Sequence, residues 1–204
     1  MINMVLGYLF GAAITMSLVT VAKYTLGRLR PHFFDVCNLN YSTIDCGTNE
    51  HPIYVINYHC PGNSKIADDF VISMEAIIED AHISFVSGHS SYIFQAMTFL
   101  ALYLQARLVN TGHFDSFLGK CSTISNLFLL KLMPIFAVPT IQMFGFGFAM
   151  WVAMTRITDH MHHPGDVIGG SLLGIMVSII NITVFMRLFK IRNEAKVDEY
   201  TSLL

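Results

Sequence analysis

The sequence predicts an all-α, polytopic transmembrane helical bundle with four spans, on three observations. Hydrophobic residues make up 53% of the chain and charged residues only 13%, about half the charged share of a soluble domain. The mean hydropathy is +0.54. The charges are also clustered, leaving four apolar stretches near the roughly 20 residues a helix needs to cross a bilayer.

The first span covers about 2–22 and holds a Gly-Ala-Ala cluster at 11–13 suited to close packing. The second, about 90–107, is short and reaches bilayer thickness if Arg107 snorkels. The third lies within 127–154, where Pro134 and Pro139 are expected to bend it; membrane helices tolerate such prolines when neighbours re-satisfy the backbone. The fourth, about 167–189, carries Gly169, Gly170 and Gly174, which let helices approach closely. A polar segment, 31–82, separates the first two spans and holds Asp68, Asp69, Glu75, Glu79 and Asp80. The segment 106–126 and the short turn 156–166 make the other connections. The tail from Arg187 is basic, then acidic, and is expected to be disordered past Glu194.

Four spans put both termini on one side. That side would hold Arg107, Lys120, Lys131, Arg187, Lys190, Arg192 and Lys196, against Lys23, Arg28, Arg30, Lys65 and Arg156 on the other. The excess favours cytosolic termini and a luminal or extracellular 31–82 loop. The first span taken alone points the other way, because its basic residues follow it. Asn40-Tyr41-Ser42 is a glycosylation sequon usable only in the lumen, and it agrees with cytosolic termini. Cys37, Cys46 and Cys60 share the loop, while Cys121 stands apart. One disulfide with a spare thiol, or four reduced cysteines, both fit this usage. No CxxC, internal repeat, low-complexity tract or C-terminal lipidation box occurs. A net charge of -2 without a basic stripe argues against nucleic acid. Spans nearly free of ionisable groups argue against a pore or transporter.

Three polar clusters stand at the ends of spans, all on one side of the bundle. Lys23 and Arg30 are seven apart and share a face if the first helix continues that far; two cations there suit an anion, and they also fit interfacial anchoring. Ser87-Gly88-His89 precedes the second span. Ser90 or Ser91 can cap that helix, whose free N–H groups form an anion site. Gly88 permits close backbone approach, Ser87 offers a hydroxyl, and His89 is placed to exchange a proton. In the third cluster, Asp166 follows His162 by four residues, so its carboxylate can accept a hydrogen bond from one imidazole nitrogen. The other nitrogen is then a lone-pair nucleophile, and Arg156 supplies a planar donor fork for phosphate oxygens. His160, His162, His163 and Asp166 also crowd as metal ligands would, although no zinc-type motif completes such a site. Together the clusters hold the parts of histidine-mediated phosphoryl transfer: cations for the equatorial oxygens, a nucleophile, an orienting carboxylate and an acid for the leaving group.

Lys23-(six residues)-Arg30-Pro31, Ser87-Gly88-His89 and Arg156-(five residues)-His162-(three residues)-Asp166 resemble the three-part signature of the type 2 phosphatidic acid phosphatases. KYTLGRLRPHFFDVC, FVSGHSS, ALYLQARL and TRITDHMHHPGDV further resemble the animal-type lipid phosphate phosphatases. The resemblance implies a phosphatase membrane domain over 1–192, with a cytosolic tail at 193–204. It implies that Lys23, Arg30 and Arg156 bind phosphate with the Ser87 hydroxyl and the Gly88 amide. His162 would form a phosphohistidine, oriented by Asp166, and His89 would protonate the departing oxygen and then activate water. Substrates would be phosphatidate, lysophosphatidate, sphingosine 1-phosphate and ceramide 1-phosphate, cleaved without metal or other cofactor. The resemblance further implies a plasma-membrane protein with its site facing the exterior or lumen, glycan on Asn40, and homo-oligomers. Val86 and Thr155 depart from the residues usual at those positions, and neither is expected to supply a catalytic group. Family members have six spans, so the chain is expected to lack the first two. A truncated, non-catalytic lipid-binding or scaffolding protein is the alternative, against which every signature residue is retained.

Overall fold

The computed structural model describes residues 2–40, 42, 44, 47, 55, 58–63, 73–106 and 128–201. Helix α1 covers Ile2–Leu26, α2 Phe33–Cys37, α3 Met74–Ala81, α4 Gly88–Leu104, α5 Phe128–Thr158 and α6 Pro164–Thr201. Three stretches, Met4–Leu26, Phe136–Thr158 and Pro164–Val184, are long and apolar enough to cross a membrane. Their outward faces expose Leu9, Val21, Phe144, Trp151, Ile168, Leu172 and Ile180. A belt of that size needs a hydrocarbon solvent rather than water. The chain is an all-α membrane bundle.

The fourth expected span is α4. At 17 residues it is roughly 26 Å long, and it is the central helix, packed along α1, α5 and most extensively α6. Phe94 on α4 meets Ala149 and Ala153 of α5 and Val167 of α6 in a buried apolar cluster. Small residues set the α4–α6 distance. A Cβ on Gly170 would collide with the Ser87 carbonyl oxygen, and one on Gly174 with that of Ser91, which is the close approach the glycine run predicts.

Several expected boundaries move. α1 continues past 22 to Leu26. α4 starts at Gly88 rather than 90. α5 continues past 154 to Thr158, helical through Pro134 and Pro139. α6 extends to Thr201, where disorder was expected past Glu194; residues 187–201 contain neither Gly nor Pro and include strong helix formers.

Within the polar segment, α2 and α3 close a small satellite core of Phe33, Val36, Cys37 and Ala81, flanked by Leu39, Cys60, Ile77 and Ile78. Cys37 and Cys60 are disulfide-bonded, one of the pairings the cysteine usage left open. Ser73 caps α3 by accepting from the Ala76 N–H. Cys46, Cys121, Asp68, Asp69, Lys65 and the connection 107–127 lie outside the described residues.

Candidate active site

The three polar clusters meet because the loops beyond the helix ends are tied together by backbone hydrogen bonds. Gly27, at φ 53°, ends α1 in the left-handed conformation that glycine adopts freely and donates to the Lys23 carbonyl at 3.1 Å. Arg30 therefore comes to the site from a loop, not along a helix face shared with Lys23 as the spacing suggested. The chain then lies beside 81–84: the Arg30 N–H donates to Ala81 O at 2.9 Å and the Ser84 N–H to Arg28 O at 2.8 Å. From the α5–α6 turn, His163 Nε2 donates to Leu29 O at 3.1 Å, and His32 Nδ1 donates to His160 O at 2.9 Å. The Ser87 N–H donates to Asp166 O at 3.0 Å. Three segments far apart in sequence are held at one end of the bundle.

A cavity of about 820 Å³ opens at that junction. Lys23, Arg30, Gly88, His89, Arg156 and His162 line it, and Tyr8, Met16, Ile93 and Ala96 continue its wall along α1 and α4. The volume is that of a small-molecule site, with cations at one end and apolar side chains at the other. Gly88 is the first residue of α4, so the unsatisfied N–H groups of that helix contribute to the same anion-favouring end.

Ser87 and Asp166, which the motifs also single out, do not line the cavity; both are fully buried. Ser87, rather than Ser90 or Ser91, is the N-cap of α4. Its oxygen accepts from the Ser90 hydroxyl at 3.1 Å and the Ser90 N–H at 3.5 Å. The Ser87 oxygen holds the helix end, because Ser87 is the last residue with extended backbone before the helix, and the side chain expected on phosphate is buried behind the cavity lining.

Arg30 is 8% exposed. Its Nη2 pairs with Asp80 Oδ1 at 2.6 Å, and its buried Nε has no hydrogen-bond partner among the described residues. A buried, unpaired guanidinium donor on a cavity wall suits an incoming anion. Arg156 Nη2 pairs with Asp159 Oδ2 at 2.9 Å. Its Nε and Nη2 donate to the Thr155 hydroxyl at 3.3 and 3.1 Å, so Thr155, set aside at the sequence level, orients the guanidinium.

His162 is 3% exposed. Burial, then the positive charge of Arg30, pushes its pKa down to about 4, so the imidazole is neutral and carries a lone pair at physiological pH. The direct hydrogen bond expected from Asp166 is absent: His162 Nδ1 and Asp166 Oδ2 are 3.9 Å apart, beyond hydrogen-bond range. The Ser84 hydroxyl stands beside both, 2.5 Å from Asp166 Oδ2 and 3.4 Å from His162 Nδ1. Arg28 Nη1 holds the other carboxylate oxygen of Asp166 at 2.8 Å. Neither Ser84 nor Arg28 was singled out by sequence reading, since a lone serine and one of several loop arginines carry no spacing signal. Among the described residues no group of three or more His, Cys, Asp or Glu side chains converges as metal ligands. His163 is engaged with Leu29, and His160 offers its carbonyl to His32.

The chain belongs to the PAP2 superfamily, whose family profile matches residues 4–190. Among relatives, the chain is 33% identical over 199 residues to Phospholipid phosphatase 1 of Rattus norvegicus, covering 96% of this chain and 58% of that protein. It is 37% identical over 186 residues to Phospholipid phosphatase 2 of Homo sapiens, covering 91% and 52%, and 36% identical over 185 residues to Phospholipid phosphatase 2 of Bos taurus, covering 91% and 52%. The chain spans about half the length of the curated relatives it matches. No solved structure matches it.

Proposed function

We propose that the chain removes phosphate from lipid phosphates at the cavity between α1, α4 and the α5–α6 turn, through a phosphohistidine. The observation that carries this reading is the single cavity lined by Lys23, Arg30, Gly88, His89, Arg156 and His162. The phosphoryl group sits among Lys23, Arg30, Arg156 and the amides at the start of α4, which neutralise its equatorial oxygens. The His162 Nε2 lone pair attacks phosphorus, forming the N–P bond as the P–O bond to the lipid breaks. His89 gives its proton to the departing lipid oxygen, then takes one from water as that water attacks the phosphohistidine and releases phosphate and free His162. Ser87 assists by fixing the end of α4, and Asp166 by keeping His162 in place.

The apolar extension of the cavity supports a substrate whose headgroup reaches the cations while its chains stay in the bilayer. Phosphatidate, lysophosphatidate, sphingosine 1-phosphate and ceramide 1-phosphate all have that form. The Cys37–Cys60 disulfide supports an oxidising compartment on the cavity's side of the membrane. The exposed Asn40, whose Oδ1 accepts from the Ser42 hydroxyl at 2.7 Å, supports glycan attachment there. On this reading the protein works in lipid metabolism and signalling at the plasma membrane, the site facing the exterior or lumen and the tail the cytosol; homo-oligomers accompany it.

The test is phosphate release from phosphatidate by the purified chain in mixed micelles containing EDTA. Activity is expected, inhibition by vanadate is expected, and His162→Ala should lower turnover about 10³-fold or more. Wild-type turnover in His162→Ala removes the nucleophile assignment, and abolition by EDTA supports the metal site instead. A folded, lipid-binding protein without turnover supports the scaffolding alternative.

A further inference from the structure

We propose that Ser84 is a positioning residue of this site: its hydroxyl is the link between His162 and Asp166, and it fixes the imidazole tautomer that leaves Nε2 free. The inference rests on the phosphatase reading and deepens it. An ionised carboxylate only accepts hydrogen bonds, so an inventory of donors decides the direction of each contact. Asp166 Oδ1 accepts from Arg28 Nη1 at 2.8 Å, and Oδ2 accepts from the His163 N–H at 3.0 Å and from the Ser84 hydroxyl at 2.5 Å. The single Ser84 proton is thereby committed to Asp166. What the Ser84 oxygen turns toward His162 Nδ1, 3.4 Å away, is a lone pair. A protonated Nδ1 suits that lone pair, and the Ser84 backbone carbonyl also accepts from the imidazole; a neutral imidazole protonated on Nδ1 carries its lone pair on Nε2.

Ser84 is also held where this link needs it. Its side chain is fully buried, and its N–H donates to the Arg28 carbonyl at 2.8 Å, so Arg28 grips Ser84 by its backbone and Asp166 by its side chain. When Nε2 bonds to phosphorus, the ring becomes cationic. The Ser84 hydroxyl, accepting from Nδ1–H and donating to Asp166, lets the carboxylate, 3.9 Å from the ring, stabilise that charge without direct contact.

The experiment uses the full chain labelled with ¹⁵N-histidine in lipid–detergent micelles. The His162 ring is assigned by its absence in His162→Gln. In the wild type the ring is expected as the Nδ1–H tautomer; an Nε2–H tautomer overturns the proposal. On phosphatidate, Ser84→Ala is expected to lower kcat by about 10- to 100-fold with KM little changed. Asp166→Asn should lose turnover too, and the double variant should lose no more than the worse single one. A wild-type kcat in Ser84→Ala, or fully additive losses, overturns the link. If Ser84→Ala does not fold, the wild-type tautomer alone decides. The two readings fail differently: activity in His162→Gln sinks the phosphatase mechanism, whereas an inactive His162→Gln with wild-type turnover in Ser84→Ala sinks the Ser84 link alone.

Discussion

His162 shows how burial prepares a side chain for chemistry. An exposed histidine is half protonated near pH 6.5, whereas burial and Arg30 hold this one near 4. The sign follows: the lowered pKa favours the neutral, nucleophilic form at every pH above about 4 and loses it only below. The ¹⁵N titration of the His162 ring is therefore expected to have its midpoint near 4; a midpoint near 6.5 would contradict the burial account. Arg30 is the cation best enclosed for phosphate, 8% exposed with Nε unpaired. Arg30→Lys keeps the charge but loses the planar fork, and turnover is expected to fall about 100-fold on phosphatidate. The motifs singled out Lys23, Arg30, His89, Arg156 and His162, which the fold brings to one cavity. The residues that orient them were not legible: Ser84 and Arg28 act through hydrogen bonds to Asp166, which lies across the fold, and Thr155 holds its chain neighbour Arg156, a contact that residue identity alone does not reveal. Asp166 was legible as a partner of His162, but the hydroxyl between them could not be read from an i, i+4 spacing.

Helix packing carries the site from below. Apolar run lengths gave α1, α5 and α6 directly. The ends were less legible because they depend on local devices such as Gly27 at the end of α1 and Ser87 at the start of α4. Gly174 faces the α4 backbone with no room for a methyl group. Gly174→Ala is expected to push α4 and α6 apart and destabilise the bundle by about 1–3 kcal/mol, read as a lower midpoint for loss of helicity on heating. An unchanged midpoint would mean that the two helices are not in close contact. In the loop, the disulfide joins residues 23 apart in sequence and fastens α2 to the segment before α3. Replacing both Cys37 and Cys60 by Ser is expected to cost about 3 kcal/mol, measured as earlier proteolysis of the 31–82 loop.

For the molecule as a whole, the proposed function rests on a charged pocket at the end of an apolar bundle. Charge clustering made the membrane class legible, and the placement of three motifs on one side made a shared site legible. How the clusters meet was not, because convergence is achieved by loop-to-loop backbone bonds such as Arg30 to Ala81 and Ser87 to Asp166, which have no sequence signature. The central claim is that these distant segments serve one phosphoryl group and that His162 receives it. Its most direct test is brief incubation with ³²P-labelled phosphatidate, followed by an alkaline quench and mapping of the labelled peptide. An alkali-stable, acid-labile label on the peptide containing His162, absent from His162→Gln, is the expected result. Turnover with the label on another residue, or undiminished labelling in His162→Gln, would contradict it.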